Sequence, residues 1–219
     1  MRIGNLIVKF IVWLVELFAN KNKSIEQPKQ DEIPQPIKPI QEVAVEETKP
    51  EKLQEFPVIN IIKSLPTAKD KFYASRTLDK IKQIVIHHSL TTTGTAASFA
   101  RYHIEARGWP GIGYHIVIDK KGQIFLTNYF KTVSYHVDNA NTKSLGICLV
   151  GNYDEEQPPQ IQIDALRYIL QETKKSLPQK LDLVRHHDFS QKSCPGTNME
   201  PIFKQLKQEF NESYNQQTV

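Results

Sequence analysis

Cysteine is scarce in this chain, with only Cys148 and Cys194 among 219 residues. Two thiols cannot build the disulfide framework of a small secreted scaffold, so a hydrophobic core must hold any fold. Charge of one sign is not concentrated either. The formal net charge is +4 with histidine neutral, far from the dense basic stripe of a nucleic-acid binder, and nucleic acid is not an expected partner. An uninterrupted apolar run of membrane length is also lacking. The opening stretch MRIGNLIVKFIVWLVELFANKNK is broken by Lys9 and Glu16, and no small-residue cleavage site follows it, so it does not read as a signal peptide. No internal repeat is found.

What the opening stretch does have is an arrangement. At 100° per residue, Arg2, Asn5, Lys9, Glu16, Asn20 and Lys23 fall on one narrow stripe, and nearly everything else between Ile3 and Ala19 is apolar. Residues 1–22 are therefore expected to form an amphipathic, membrane-associated helix. It either lies in the interface or spans the bilayer with its stripe against other helices. Residues 23–58 change character: prolines 28, 34, 36, 39, 50 and 57 alternate with Lys, Glu and Gln. Proline removes backbone donors, and the scattered Ile and Val are too few for a core, so this segment reads as a disordered tether. At roughly 3 Å per residue it could reach on the order of 100 Å. Residues 59–80 read as a lead-in that packs on the domain edge.

From 81 to 213 the chain reads as one α/β domain with a central mixed β-sheet flanked by helices, followed by a short disordered tail at 214–219. IKQIVIHHS reads as a strand, TAASFARYHIEARGW as a helix stopped by Gly108, and GYHIVID with QIFLTNY as a hairpin across KKG. SLGICLVG is a buried strand that makes Cys148 a core residue. QIDALRYILQETKKSL is a helix, LDLVRHH a strand, and a last helix starts near Asn198. Alternation of strands and helices about one core defines the fold class.

All seven histidines, at 87, 88, 103, 115, 136, 186 and 187, fall inside this domain. Two doublets end predicted strands, where open α/β sheets build their sites. Neighbouring strand residues point to opposite faces, so each doublet offers one ring to a given site. Cys194 lies in a polar loop behind Lys192 and Ser193 rather than in an apolar run. One histidine from each doublet plus Cys194 makes three nitrogen and sulfur donors with a position left open, the pattern of a catalytic zinc. Which member of each doublet takes part is not readable, because both faces of these strands carry apolar residues.

Four segments, IVIHHS, GWPGIGYHIVI, SYHVDNANTKSLGICLVGNYD and VRHHDFSQKSCPG, together resemble the type-2 N-acetylmuramoyl-L-alanine amidases, which include phage lysozyme-type amidases and peptidoglycan recognition proteins. They occur in the family's order from about Ile81 to Gly196. The resemblance implies zinc (Zn2+) held by His87, His186 and Cys194, with Tyr114 and Lys192 as catalytic groups of the phage type and His136 near the scissile bond as a substrate contact. His88, His103, His115 and His187 are left to structure, with His187 a candidate to support the metal ligands. Tyr135 and Val137 stand where many relatives carry Trp and Gly. The implied activity is cleavage of the amide between N-acetylmuramic acid and L-alanine, with peptidoglycan as partner. Membrane attachment through residues 1–22 would place the amidase domain toward the periplasm or cell wall. The alternatives are a non-catalytic peptidoglycan-binding module, against which the retained Cys194 counts, and a membrane-active lysis protein that this domain only targets.

Overall fold

The computed structural model describes residues 54–215. The expected membrane helix at 1–22 and nearly all of the tether at 23–58 lie outside these residues, and among the described ones no helix is long and apolar enough to cross a membrane. Within the described residues eight strands form: β1 (Val58–Asn60), β2 (Ala74–Ser75), β3 (Gln83–His88), β4 (Ile116–Ile118), β5 (Ile124–Leu126), β6 (Thr132–Val133), β7 (Ser144–Leu149) and β8 (Asp182–Arg185). Among the described residues three α-helices accompany them: α1 (Ala96–Arg107), α2 (Gln160–Ser176) and α3 (Glu200–Asn215). Six strands make one sheet in the order β1-β5-β4-β7-β3-β8, and β2 and β6 make a small second one. β4, β7, β3 and β8 run parallel, and β5 is antiparallel to β4. The sheet is mixed, as expected.

Parallel strands need cover on both faces, and every residue of β3 and β7 is buried. Alternation sorts their side chains. Ile84, Ile86, Leu145, Ile147 and Leu149 pack with Ile163, Leu166 and Ile169 of α2 and with Phe203, Leu206 and Phe210 of α3. On the opposite face, Cys148 and Val117 pack under Ala96 and Ala100 of α1, and Val85 packs with Val137 and Ala140. His87 belongs to the second face and His88 to the first. That side has the lighter roof, one helix and a short turn, and this leaves room for a cleft over the strand ends.

Local chemistry sets the element ends. Thr95 and Ser98 form a reciprocal capping box at the start of α1, and Gly108 ends it in the left-handed region at φ 66°. The β4–β5 hairpin turns at Gly122, φ 77°, with Asp119 Oδ1 accepting from the Lys121 and Gln123 N–H groups. Three boundaries differ from expectation. The fold begins earlier: Phe56 and Val58, at the end of the expected tether, already join the core and β1, which pairs with β5 at the sheet edge, and the expected lead-in at 59–80 also supplies β2. α3 starts at Glu200 after a 3-10 turn, and the Asn198 amide donates to the Glu156 carbonyl instead of capping the helix. α3 also runs to Asn215, past the expected end at 213.

Candidate metal and active site

Because β3 and β8 are parallel neighbours, their carboxyl ends bring the two histidine doublets to one rim of the sheet. There the chain leaves a cleft of about 660 Å³, whose lining includes His87, His186 and Cys194. One donor atom from each of these three lies within 4.8 Å of the other two. His87 Nδ1 is 3.8 Å from Cys194 Sγ, and the His87 and His186 rings are 4.7 Å apart between centroids. Ligands at zinc's usual bond lengths on a tetrahedron hold nitrogen and sulfur ~3.6 Å apart, so the donor set fits such an ion. Burial keeps both imidazoles below their ordinary pKa, with the neighbouring Lys192 charge adding to the effect at His186. They are therefore neutral and able to offer lone pairs at pH 7. Burial pushes the Cys194 thiol up to about 12, against the opposing pull of the His88 N–H, which donates to Sγ at 3.4 Å, and of Lys192.

The face division resolves the first doublet. His87 turns into the cleft, while the His88 ring goes to the other side, where its Nδ1 accepts the Tyr153 N–H at 3.2 Å. The second doublet is not on a strand at all. β8 stops at Arg185, and His186 opens a 3-10 turn running to Phe189, so strand alternation does not govern it. His187 instead pins the loop behind its neighbour: its N–H donates to the Cys194 carbonyl at 2.8 Å and its Nδ1 lies 2.6 Å from the Lys192 carbonyl. Beyond Cys194, Gly196 adopts φ 107°, and a Cβ there would come within 2.5 Å of the Tyr153 backbone. Only glycine fits that close approach.

Tyr114 packs against the Cys148 cluster, its ring 5.3 Å from that of His87. Desolvation, with smaller effects from the two thiols, holds its hydroxyl well above the usual tyrosine range. Lys192 is exposed and lines the cleft. His136 is buried on the floor beside His87, its Nδ1 3.0 Å from His87 Nε2. The structure thus brings all six sequence-predicted residues to one cleft.

Sequence reasoning missed three supporting groups. Asp154 holds the Cys194 loop, accepting from Ser193 Oγ at 2.5 Å and from the Thr197 N–H at 2.8 Å. Buried Arg76, ahead of the expected domain boundary, donates to the carbonyls of Phe130, Asn141, Thr142 and Ser144. Gly146 leaves the sheet surface bare where the His136 ring lies. A lone arginine or aspartate in a polar segment carries no sequence signal; a glycine inside the apolar run SLGICL does, as a mark of close approach.

Fold and site together define a class, a single α/β domain with two imidazoles and a thiol converging on the floor of an open cleft. Comparison with known proteins narrows it. The profile of the N-acetylmuramoyl-L-alanine amidase family (Amidase_2) matches residues 77–197. The chain is 30% identical over 126 residues to an endolysin of Enterobacteria phage K11, spanning 54% of this chain and 82% of the phage protein. Among solved structures it is similar to the N-acetylmuramoyl-L-alanine amidase LysC from Clostridium intestinale URNW, with a TM-score of 0.59 and 27% identity, covering 70% of this chain and 97% of that one. The Drosophila peptidoglycan recognition protein SD shares the fold at a TM-score of 0.62 and 20% identity, over 69% and 95% of the two chains. The chain belongs to the N-acetylmuramoyl-L-alanine amidase family, and its activity is that of a peptidoglycan amidase.

Proposed function

We propose that this protein is a zinc-dependent amidase that hydrolyses the bond between the lactyl group of N-acetylmuramic acid and L-alanine while anchored to a membrane by residues 1–22. The observation that carries the zinc reading is the convergence of His87, His186 and Cys194 donor atoms within 4.8 Å. Zinc held by these three residues supplies Lewis acidity, polarising the scissile carbonyl and lowering the pKa of a water. The remaining work falls to the chain's own groups. Tyr114 carries its proton at neutral pH, as any tyrosine does, and desolvation holds that proton more firmly still, so it acts as a hydrogen-bond donor toward the amide or an attacking water. Lys192 brings positive charge from the rim toward the carbonyl oxygen as negative charge develops there. The imidazoles of His87 and His186 stay unprotonated, and the loop held by His187 and Asp154 keeps Cys194 in place.

Support for the anchor comes from the sequence: a wide apolar face with one polar stripe, followed by a proline-rich tether long enough to span tens of ångströms. An anchor of this kind would turn the amidase domain toward the periplasm or cell wall, where peptidoglycan lies. The test uses the whole chain on purified peptidoglycan, with mass spectrometry of the released fragments. Cleavage at the muramoyl–L-alanine amide, abolished by chelation and by Cys194→Ser, is the expected result. Cleavage that survives both changes overturns the zinc reading. Recovery of the whole chain in the soluble fraction of lysed cells, without salt or detergent, overturns the anchor.

A further inference from the structure

We propose that His136 is a positioning residue for His87: its ring, laid over Gly146, accepts the Nε2–H of His87 and thereby commits His87 Nδ1 to the metal. The inference rests on the zinc reading above. It starts from a vacancy in the central strand. Gly146 sits inside β7 on the same face as His87, and a Cβ there would lie 2.7 Å from His136 Cγ and 2.8 Å from its Nδ1. Any other residue at 146 would push the ring off the sheet.

The backbone of His136 is fixed as well. The N–H groups of His136 and Val137 both donate to Asn141 Oδ1 at 2.9 Å, and Val137 is buried with Val85 and Ala140. His136 itself is 7% exposed, and its ring meets that of His87 edge-on, with an interplanar angle of 83° and centroids 5.1 Å apart. This leaves one nitrogen of each ring facing the other, at 3.0 Å.

A neutral imidazole carries one proton, so the polarity of that contact decides what His87 offers on its far side. The far nitrogen, Nδ1, is the one 3.8 Å from Cys194 Sγ. If His87 donates from Nε2, Nδ1 presents its lone pair to the cluster. If His136 donates instead, the His87 proton moves to Nδ1 and blocks coordination. The first polarity places the His136 proton on Nε2. That atom is buried and has no hydrogen-bond partner among the described residues. His136 adds no fourth donor to the His87, His186 and Cys194 group; its effect passes through His87. Partners that orient a ligating histidine in this way are typically worth about 10–100-fold in metal affinity.

The experiment is zinc affinity of the 219-residue chain, read by competition with a chromophoric chelator, together with the absorption spectrum of the cobalt-loaded form. His136→Phe keeps a flat ring and removes the acceptor, whereas His136→Asn returns an acceptor oxygen near the position of Nδ1. Zinc binding weakened by about 10–100-fold in the Phe variant, with altered cobalt bands and substantial recovery in the Asn variant, is expected. A Phe variant that binds zinc within about twofold of wild type and keeps its cobalt spectrum overturns the proposal. Should that variant fail to fold, nitrogen-15 histidine NMR of the zinc-loaded wild type decides the matter. Protons on His87 Nε2 and His136 Nε2 support the proposal, and a proton on His136 Nδ1 overturns it. A wild type that takes up no zinc overturns the metal reading itself and this inference with it.

Discussion

At the residue scale the floor of the cleft divides its labour by environment. His87, His186 and Cys194 are enclosed and mutually close, Tyr114 is packed among apolar neighbours, and Lys192 alone reaches in from an exposed loop. Groups that act by charge or proton donation in the transition state affect turnover more than binding. Lys192→Ala and Tyr114→Phe are therefore each expected to lower kcat by about 10²-fold or more, with KM and zinc content close to wild type. Steady-state kinetics on a soluble muropeptide, paired with metal analysis of each variant, checks this. If Lys192→Ala leaves kcat intact while Cys194→Ser abolishes activity, the loop is a metal clamp and the oxyanion must be met by another group.

At the element scale the decisive piece is the loop from His186 to Gly196, and it shows how far the sequence could be read. The strands and helices themselves were legible, because their apolar periods of two and 3.6 follow directly from burying a face. The cysteine was legible too, as the only thiol outside an apolar run. The choice within each histidine doublet was not. For His87 and His88 it depends on which face of the sheet receives α2 and α3, a tertiary fact that no local pattern encodes. For His186 and His187 it depends on a 3-10 turn replacing the end of the strand. The anchor of the loop was equally hidden, since Asp154 lies in a separate connection and meets Ser193 and Thr197 only once folded. Hydrogen bonds to a charged acceptor contribute about 1.5–3 kcal/mol each, less where water competes. Asp154→Ala is expected to lower the stability of the metal-free protein by about 1–2 kcal/mol and to weaken zinc binding by loosening Cys194. Denaturant unfolding and chelator competition on the same variant test both halves, and wild-type values in both would show that the loop is held elsewhere.

At the scale of the whole molecule, the fold buries five of its seven histidines, and this couples its stability to pH. His115 lies at the centre of the domain. The Gly146 N–H donates to its Nδ1 at 3.0 Å, and its Nε2 lies 3.0 Å from both the Thr132 carbonyl and the Arg76 guanidinium. Protonating Nδ1 would break the Gly146 bond and set a second cation beside Arg76. Burial, with Arg76 adding to it, accordingly lowers the His115 pKa to about 3. His103, whose Nδ1 accepts the Gly113 N–H at 3.0 Å, is lowered to about 4, mainly by burial with a smaller effect from Arg107. In the unfolded chain both return to about 6.5. The sign follows from proton counts. Below about pH 6.5 the unfolded state takes up protons that the folded state refuses, so stability is fully present above that pH and is lost as pH falls toward the folded-state values. Each such histidine contributes a slope of about 1.4 kcal/mol per pH unit inside its window. Near pH 5 these two alone give about 2.7 kcal/mol per unit, and the similarly lowered His87 and His136 steepen it. Carboxylates lowered by their partners, such as Asp154 and Glu156, act only at more acid pH. Chemical unfolding of the chelator-treated protein between pH 7 and 4.5 is expected to show this loss, with the slope reduced by about 1.4 kcal/mol per unit in His103→Gln. A stability that stays flat from pH 7 to 5 would mean that the buried imidazoles find partners for a second proton, and the neutral histidine network described here would be wrong.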